Sequence, residues 1–347
     1  MTGREISFDL QVRDFLLVYF FTTIGLNARL SDLLRGGPLL VIMLALTIGF
    51  MFAQNVVGVI GAILWGLPPQ AGVMLGTVSL IGGHGTAIAW GPVVEQQYGV
   101  SSAAELGIAT ATVGLIVASL LGGPIARFLI DRNSLSTEDH GHVAAKGAET
   151  NVATAEDPIT SQGLMLSIFW IHISIALGFS AHEALQAAGV NLPLFVPCLL
   201  SGIVLSNTVP KVLRRIKWPA GSASMALVSE FSLFVFLAMS LMSMELWSLA
   251  ESAGVLATTI LLQVLLATAF IVLVVFRAVG RNYFAAVISA GFTGVTLGAT
   301  PTAIANMTAV THRYGPSPLA FIVLPLISAF FVDIANAFII QFFLSRL

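Results

Sequence analysis

An all-α, multi-pass membrane protein built from two copies of one helical unit is the fold class that this sequence predicts. Three observations predict it. Of its 347 residues, 57% are hydrophobic and 9% charged. Ten long apolar runs lie between short stretches of polar punctuation. A four-residue motif at a helix-breaking glycine recurs 216 positions later.

A soluble globular domain carries about 25% charged residues, and a water-exposed surface cannot be made from so few. The charges present are also bunched: Asp131, Arg132, Glu138, Asp139, Lys146, Glu149, Glu156 and Asp157 fall together in 131–158. That segment reads as a flexible cytoplasmic linker between 1–130 and 159–347. The net charge of −2 and the absence of a clustered basic face exclude a nucleic-acid partner. Cys198 is the one cysteine, so neither an internal disulfide nor a thiolate metal site is available. The stretch 1–13 has no apolar core with a cleavage site, so insertion is assigned to the first span.

Because about 20 apolar residues cross a ~30 Å hydrocarbon layer as a helix, the runs at 14–28, 38–66, 105–129, 160–183, 191–207, 222–244, 253–276 and 317–345 are expected to cross. Two further runs, 70–92 and 283–308, are interrupted by Gly82, Gly83, His84 and Gly85 and by Gly298, Ala299, Thr300 and Pro301. Non-helical backbone at membrane depth survives only where protein or a water-filled cavity satisfies it, so both are read as re-entrant or broken segments. With eight crossings and two returns, Arg29, Arg35, Arg127, Arg132, Lys211, Arg214, Arg215, Lys217, Arg277, Arg281 and Arg313 share one side. The positive-inside rule makes that side cytoplasmic.

The 216-residue shift superposes Thr86, Ala87, Ile88 and Ala89 on Thr302, Ala303, Ile304 and Ala305. It also matches Gly82 with Gly298, Tyr98 with Tyr314, Gly99 with Gly315 and Phe20 with Phe236. One offset shared at several places points to duplication. Five crossings separate each run from its counterpart, which gives the copies opposite topology, as in secondary transporters with inverted repeats. The counterparts of 160–183 and 191–207 are expected before Met1, so the first repeat reads as lacking its two N-terminal spans.

Long motifs sharpen this. FFTTIGLNA at 20–28, SLIGGHGTAIAWGP at 79–92, LLGGPIAR at 120–127, VLSN at 204–207, FLAMSLM at 236–242, LGATPTAIANM at 297–307 and RYGPS at 313–317 resemble the bacterial sodium/glutamate symporter family, the glutamate permeases. The resemblance implies a sodium-coupled importer of L-glutamate in the inner membrane. It also implies a homodimer, two five-span halves with re-entrant loops, alternating access by an elevator-like motion, and no cofactor beyond Na⁺ as coupling ion. Members of the family carry two further N-terminal spans.

On that reading Gly82, Gly83 and Gly85 let the backbone present N–H groups and a positive half-helix end to a dicarboxylate. Thr86 adds a hydroxyl, and Thr300, Pro301, Thr302 and Asn306 mirror it from the second break. The rival reading is that small residues let helices pack closely. His84 either meets a substrate carboxylate or is a neutral, hydrogen-bonded loop histidine. Asp333, with Asn336 three residues on, is the one acid deep in an apolar span, a position that is functional by default. Sodium wants hard oxygens, and Asp333, Asn336 and Asn207 are the candidates, against a polar clamp between helices for the first two and a cap for Asn207. Gln54 and Asn55 read as interhelical glue, Glu105 and Glu230 as solvated span ends, and His140 and His142 as linker residues without enough ligands for a metal. The competing functions are a pore-loop channel, a transporter of a related di- or tricarboxylate, and an intramembrane hydrolase using Asp333 and His84. The last lacks a nucleophile or a second acid, so the protein is not read as an enzyme.

Overall fold

Residues 11–28, 37–135, 158–187, 192–213, 218–242 and 252–347 are described by the structure, a computed structural model, and all regular elements among them are helical. The reason is general, since a chain in hydrocarbon must pair its own N–H and C=O groups. Helix α1 (Gln11–Asn27) is followed by α2 (Gly37–Leu64) and by two one-turn helices, α3 (Ala71–Met74) and α4 (Thr77–Leu80). Next come α5 (Gly83–Tyr98) and α6 (Ala103–Asn133). The second part holds α7 (Ser161–Ala187), α8 (Phe195–Val212), α9 (Ala223–Met242) and α10 (Ala253–Ala278). It continues with α11 (Tyr283–Leu297), α12 (Thr300–Tyr314), α13 (Ala320–Ile327) and α14 (Asp333–Arg346), the last two joined by a π turn at Ser328–Val332.

Five helices, α2, α6, α7, α8 and α10, are long and apolar enough to cross a membrane, which makes the chain a multi-pass membrane protein. The other three runs expected to cross differ in detail. Helix α1 has 17 residues, α9 keeps its apolar stretch to Ala223–Met239, and the final run is divided by the π turn. Helix boundaries follow the 216-residue spacing: α2 and α10 begin at Gly37 and Ala253, and α5 and α12 end at Tyr98 and Tyr314. The linker beyond Leu135, and with it His140 and His142, lies outside the described residues, as do Arg29, Arg35, Arg214, Arg215 and Lys217.

Contacts group the helices into two compact units that cut across the sequence halves. One unit comprises α1, α7, α8 and α9, and the other α2 to α6 with α10 to α14. In the first, α1 lies among the other three helices. A Cβ added to Gly25 would collide with the Leu199 carbonyl of α8, so the two backbones touch with nothing between them. The carbonyls left over at the end of α1 are met by donors from its neighbours. Ser206 Oγ and Asn207 Nδ2 donate to the Ala28 carbonyl at 2.6 and 2.9 Å, and Trp218 Nε1 donates to that of Leu26 at 3.3 Å. Tyr19 Oη lies 2.8 Å from His172 Nε2 of α7, and the rings of Trp170 and Trp218 are 4.8 Å apart.

The second unit is organised around α6, which touches α4, α5, α11 and α12. Its Gly114 lies against the Leu297 carbonyl, where any side chain would clash. Helices α11 and α12 form an antiparallel hairpin. Gly294 lies against Ala303 and Gly291 against Met307, and near the open end Tyr283 Oη donates to the Gly315 carbonyl at 2.5 Å. Phe50, Phe292, Met43 and Tyr283 fill the core around it.

These contacts predict that Gly25→Leu lowers stability by about 1–3 kcal/mol, the range for overpacking. Gly49→Ala, where an added Cβ meets nothing within 4 Å, is expected to shift it by less than about 1 kcal/mol. Thermal unfolding of the detergent-solubilised variants measures both.

Candidate functional site

Both interrupted runs are broken in the structure, and both breaks belong to the second unit. The first lies over Leu75–Gly76 and Ile81–Gly82, which divide the run into α3, α4 and α5. The second is the two-residue gap at Gly298–Ala299 between α11 and α12. Sequence reasoning set the first break at Gly82–Gly85. The helix resumes at Gly83, three residues earlier than that suggests, so Gly83, His84, Gly85 and Thr86 form the first turn of α5. Pro301 likewise stands in the first turn of α12, where its missing N–H removes no intrahelical bond.

The tips of the two breaks face each other. Gly83 has φ of +67°, and a Cβ built on it would lie 4.0 Å from the Gly298 carbonyl oxygen. That left-handed backbone favours glycine. Two helix N-termini, those of α5 and α12, therefore open at one place, each with first-turn N–H groups that have no partner within the helix. Beside them are the C-terminal ends of α4 and α11, where side-chain amides take up the Thr77 and Thr296 carbonyls. Helix ends with a positive and with a negative dipole end thus lie near one another.

The predicted substrate residues gather here with different duties. His84 is half-buried, and its Nε2 lies 2.9 Å from Thr112 Oγ1 on α6. Thr86 and Thr302 are buried, at 6% and 9% exposure. Thr300 Oγ1 donates to Ser328 Oγ at 3.0 Å, tying the start of α12 to the π turn that precedes Asp333. Asn306 is buried and donates to the Ala118 and Ala290 carbonyls at 3.0 and 3.3 Å, which joins α6, α11 and α12. Its NH₂ is therefore occupied by main chain.

Of the sodium candidates, Asp333 and Asn336 stand in this unit and Asn207 does not. In its own unit Asn207 holds the end of α1, as the Ala28 contact shows. Asp333 opens α14, half-buried, and no ion pair among the described residues engages it. Asn336, 1% exposed, donates from Nδ2 to the Thr77 carbonyl at 3.1 Å.

Residues that sequence reasoning assigned to glue or passed over hold the breaks in place. Asn55 Oδ1 accepts from Thr77 N and Oγ1 at 2.9 and 3.0 Å, so α2 caps the start of α4. Gln54 Nε2 donates to the Thr296 carbonyl at 2.7 Å, near the tip of the second hairpin. Gln263 Nε2 of α10 donates to the Gln54 and Leu75 carbonyls at 2.9 and 3.1 Å. These three amide side chains and that of Asn336 are fully or almost fully buried. Gln54 Oε1, Gln263 Oε1, Asn336 Oδ1 and Asn55 Nδ2 remain buried without a partner among the described residues. A buried amide atom in that condition costs about 1–3 kcal/mol. A lone glutamine within the apolar stretch 253–270 was the available signal for Gln263.

A sequence model of the sodium/glutamate symporter family matches residues 1–316. The sodium/glutamate symporter of Escherichia coli K12 is 38% identical over 349 residues, an alignment covering 99% of this chain and 84% of that protein. The sodium/glutamate symporter of Haemophilus influenzae is 36% identical over 340 residues, covering 98% and 83%.

Replacing Asn55 by Leu leaves Thr77 N–H unpaired and is expected to destabilise the solubilised protein by about 1–3 kcal/mol. The loss is read as a lower thermal midpoint.

Proposed function

The chain belongs to the sodium/glutamate symporter family, and from that premise we propose that it carries L-glutamate across the bacterial inner membrane together with Na⁺. The observation that carries the reading is the meeting of the two broken runs at Gly83 and Gly298 within one unit. Glutamate presents two carboxylates and one ammonium group. The first turns of α5 and α12, with Thr86 and Thr302 buried beside them, supply N–H donors and dipole ends for the carboxylates. His84, held against Thr112, stands at the rim of the same opening.

Sodium needs oxygen ligands in a nearly dry place. The Asp333 carboxylate and the unpartnered Asn336 Oδ1, Gln54 Oε1 and Gln263 Oε1 are of that type. Asn207 drops out of this set, because its amide caps α1 in the other unit. Coupling follows from electrostatics. A sodium ion drawn to these oxygens also fixes Thr77 and Thr296, the backbone neighbours of both tips, so the anion meets a site already ordered and nearer to neutral. Tightening of one ligand by the other is then reciprocal.

The remaining features of the reading are an inverted relation of the repeats, re-entry of α3 to α5 and of the α11–α12 hairpin from opposite faces, a homodimer, and an elevator-like transport step. Support for the last comes from the whole set of break residues belonging to one compact unit, which can move without being taken apart.

Proteoliposomes with an imposed sodium gradient should accumulate radiolabelled L-glutamate, and replacing sodium by choline should abolish the accumulation; equal uptake in choline rejects the proposal. Gln263→Ala and Asp333→Asn are each expected to raise the sodium concentration for half-maximal uptake about tenfold or more, corresponding to ~1.4 kcal/mol of lost ion binding. A matching change for neither variant would remove these residues from the sodium site.

A further inference from the structure

Away from the breaks, the second unit contains a cleft of about 830 Å³ between the C-terminal turns of α6 and α12. Three guanidinium groups line it, Arg127, Arg132 and Arg313, against the single carboxylate of Asp131. Arg127 Nε is 3.4 Å from Asp131 Oδ2, but both side chains are more than half exposed, so water screens the pair. Among the described residues no acid pairs with Arg132 or Arg313. Each instead lies over an aromatic ring, Arg132 at 5.6 Å from the Phe128 centroid and Arg313 at 5.5 Å from that of Tyr314. The rings hold the charged planes without neutralising them. Nothing in glutamate or sodium binding at the breaks uses this cluster.

The surroundings indicate what fills it. Helix α6 has 31 residues and so rises about 46 Å, well beyond a ~30 Å hydrocarbon layer. Its last turns therefore extend into the headgroup region. Along the same helix Ile116, Leu120 and Phe128 are exposed, by 56%, 69% and 46%. At about 100° per residue they span roughly 120° of the helix surface and form a broad apolar outer stripe that reaches Arg127 and Arg132. A soluble anion needs the charge and has no use for the stripe. An amphiphile uses both. All three arginines fall on the side that loop charge assigns to the cytoplasm, where anionic lipid attracts basic clusters. Guanidinium also matches phosphate oxygens in a bidentate way.

We propose that this cleft binds the phosphodiester headgroup of an anionic phospholipid, with its acyl chains along the exposed stripe of α6. The lipid would bridge α6, the helix against which both breaks pack, and α12, which starts at one of them.

The test uses the full chain in detergent, stripped of lipid and titrated with dioleoylphosphatidylglycerol or dioleoylphosphatidylcholine, with bound lipid counted by native mass spectrometry. The phosphatidylglycerol adduct is expected to form at much lower concentration than the phosphatidylcholine adduct. Arg127→Gln with Arg313→Gln should weaken it about 25-fold, roughly fivefold for each arginine removed, with no change for phosphatidylcholine. Arg132→Gln alone gives a second reading, about fivefold, should the double variant fold poorly. Arg277→Gln with Arg281→Gln, outside the cleft, should leave the adduct unchanged. Equal binding of the two lipids overturns the proposal, and so does an equal loss from the control pair. Inorganic phosphate raising the thermal midpoint as much as phosphatidylglycerol would also overturn it, in favour of a soluble anion.

Discussion

Main-chain amides that leave a helix inside an apolar interior must find another partner, and this requirement governs the second unit. A stranded N–H or C=O buried without a partner keeps its full desolvation penalty. The protein meets it with side-chain amides. Asn55 takes the N–H of Thr77, Asn336 and Gln263 take the carbonyls of Thr77 and Leu75, and Gln54 takes that of Thr296. Each comes from a continuous helix beside the breaks. The irregular backbone is thus held by side-chain amides where it leaves the helix.

The same arrangement explains how a nearly charge-free chain can bind a charged substrate. Helix termini supply partial charges that require no ionised side chain. Under the proposed function, the two N-termini and two C-termini near Gly83 and Gly298 would give an anion and a cation their own ends of neighbouring dipoles. An amide that donates its NH₂ to the backbone also aims its oxygen elsewhere. The buried oxygens of Gln54, Gln263 and Asn336 are a by-product of bracing the breaks, and under the proposed function the same oxygens would serve a hard cation.

Close backbone approach has a different use in each unit. In the first, Gly25 lets α1 and α8 touch, and the end of α1 is closed by Ser206, Asn207 and Trp218. In the second, Gly114 lets α6 press against the last carbonyl of α11. The first gives a helix bundle fixed by capping. The second gives a helix packed against both breaks at once, with the arginine cleft along its last turns.

Composition, apolar run length and the 216-residue spacing determined by themselves that the chain is helical, crosses the membrane several times and is interrupted twice. These are local properties: hydrocarbon thickness fixes how long a span must be, and glycine or proline fixes where a helix stops. The long motifs around Gly82 and Gly298 carried the family as well. What only the tertiary structure decided is which polar residues belong together. Gln263 and Asn336 are 73 positions apart in the sequence yet grip the same few peptide groups, and Asn207, of the same residue type, serves the end of α1 in the other unit. One-dimensional spacing cannot distinguish an amide that braces a break from one that caps a helix, because the difference lies in which backbone groups are left unpaired nearby, and folding alone creates those.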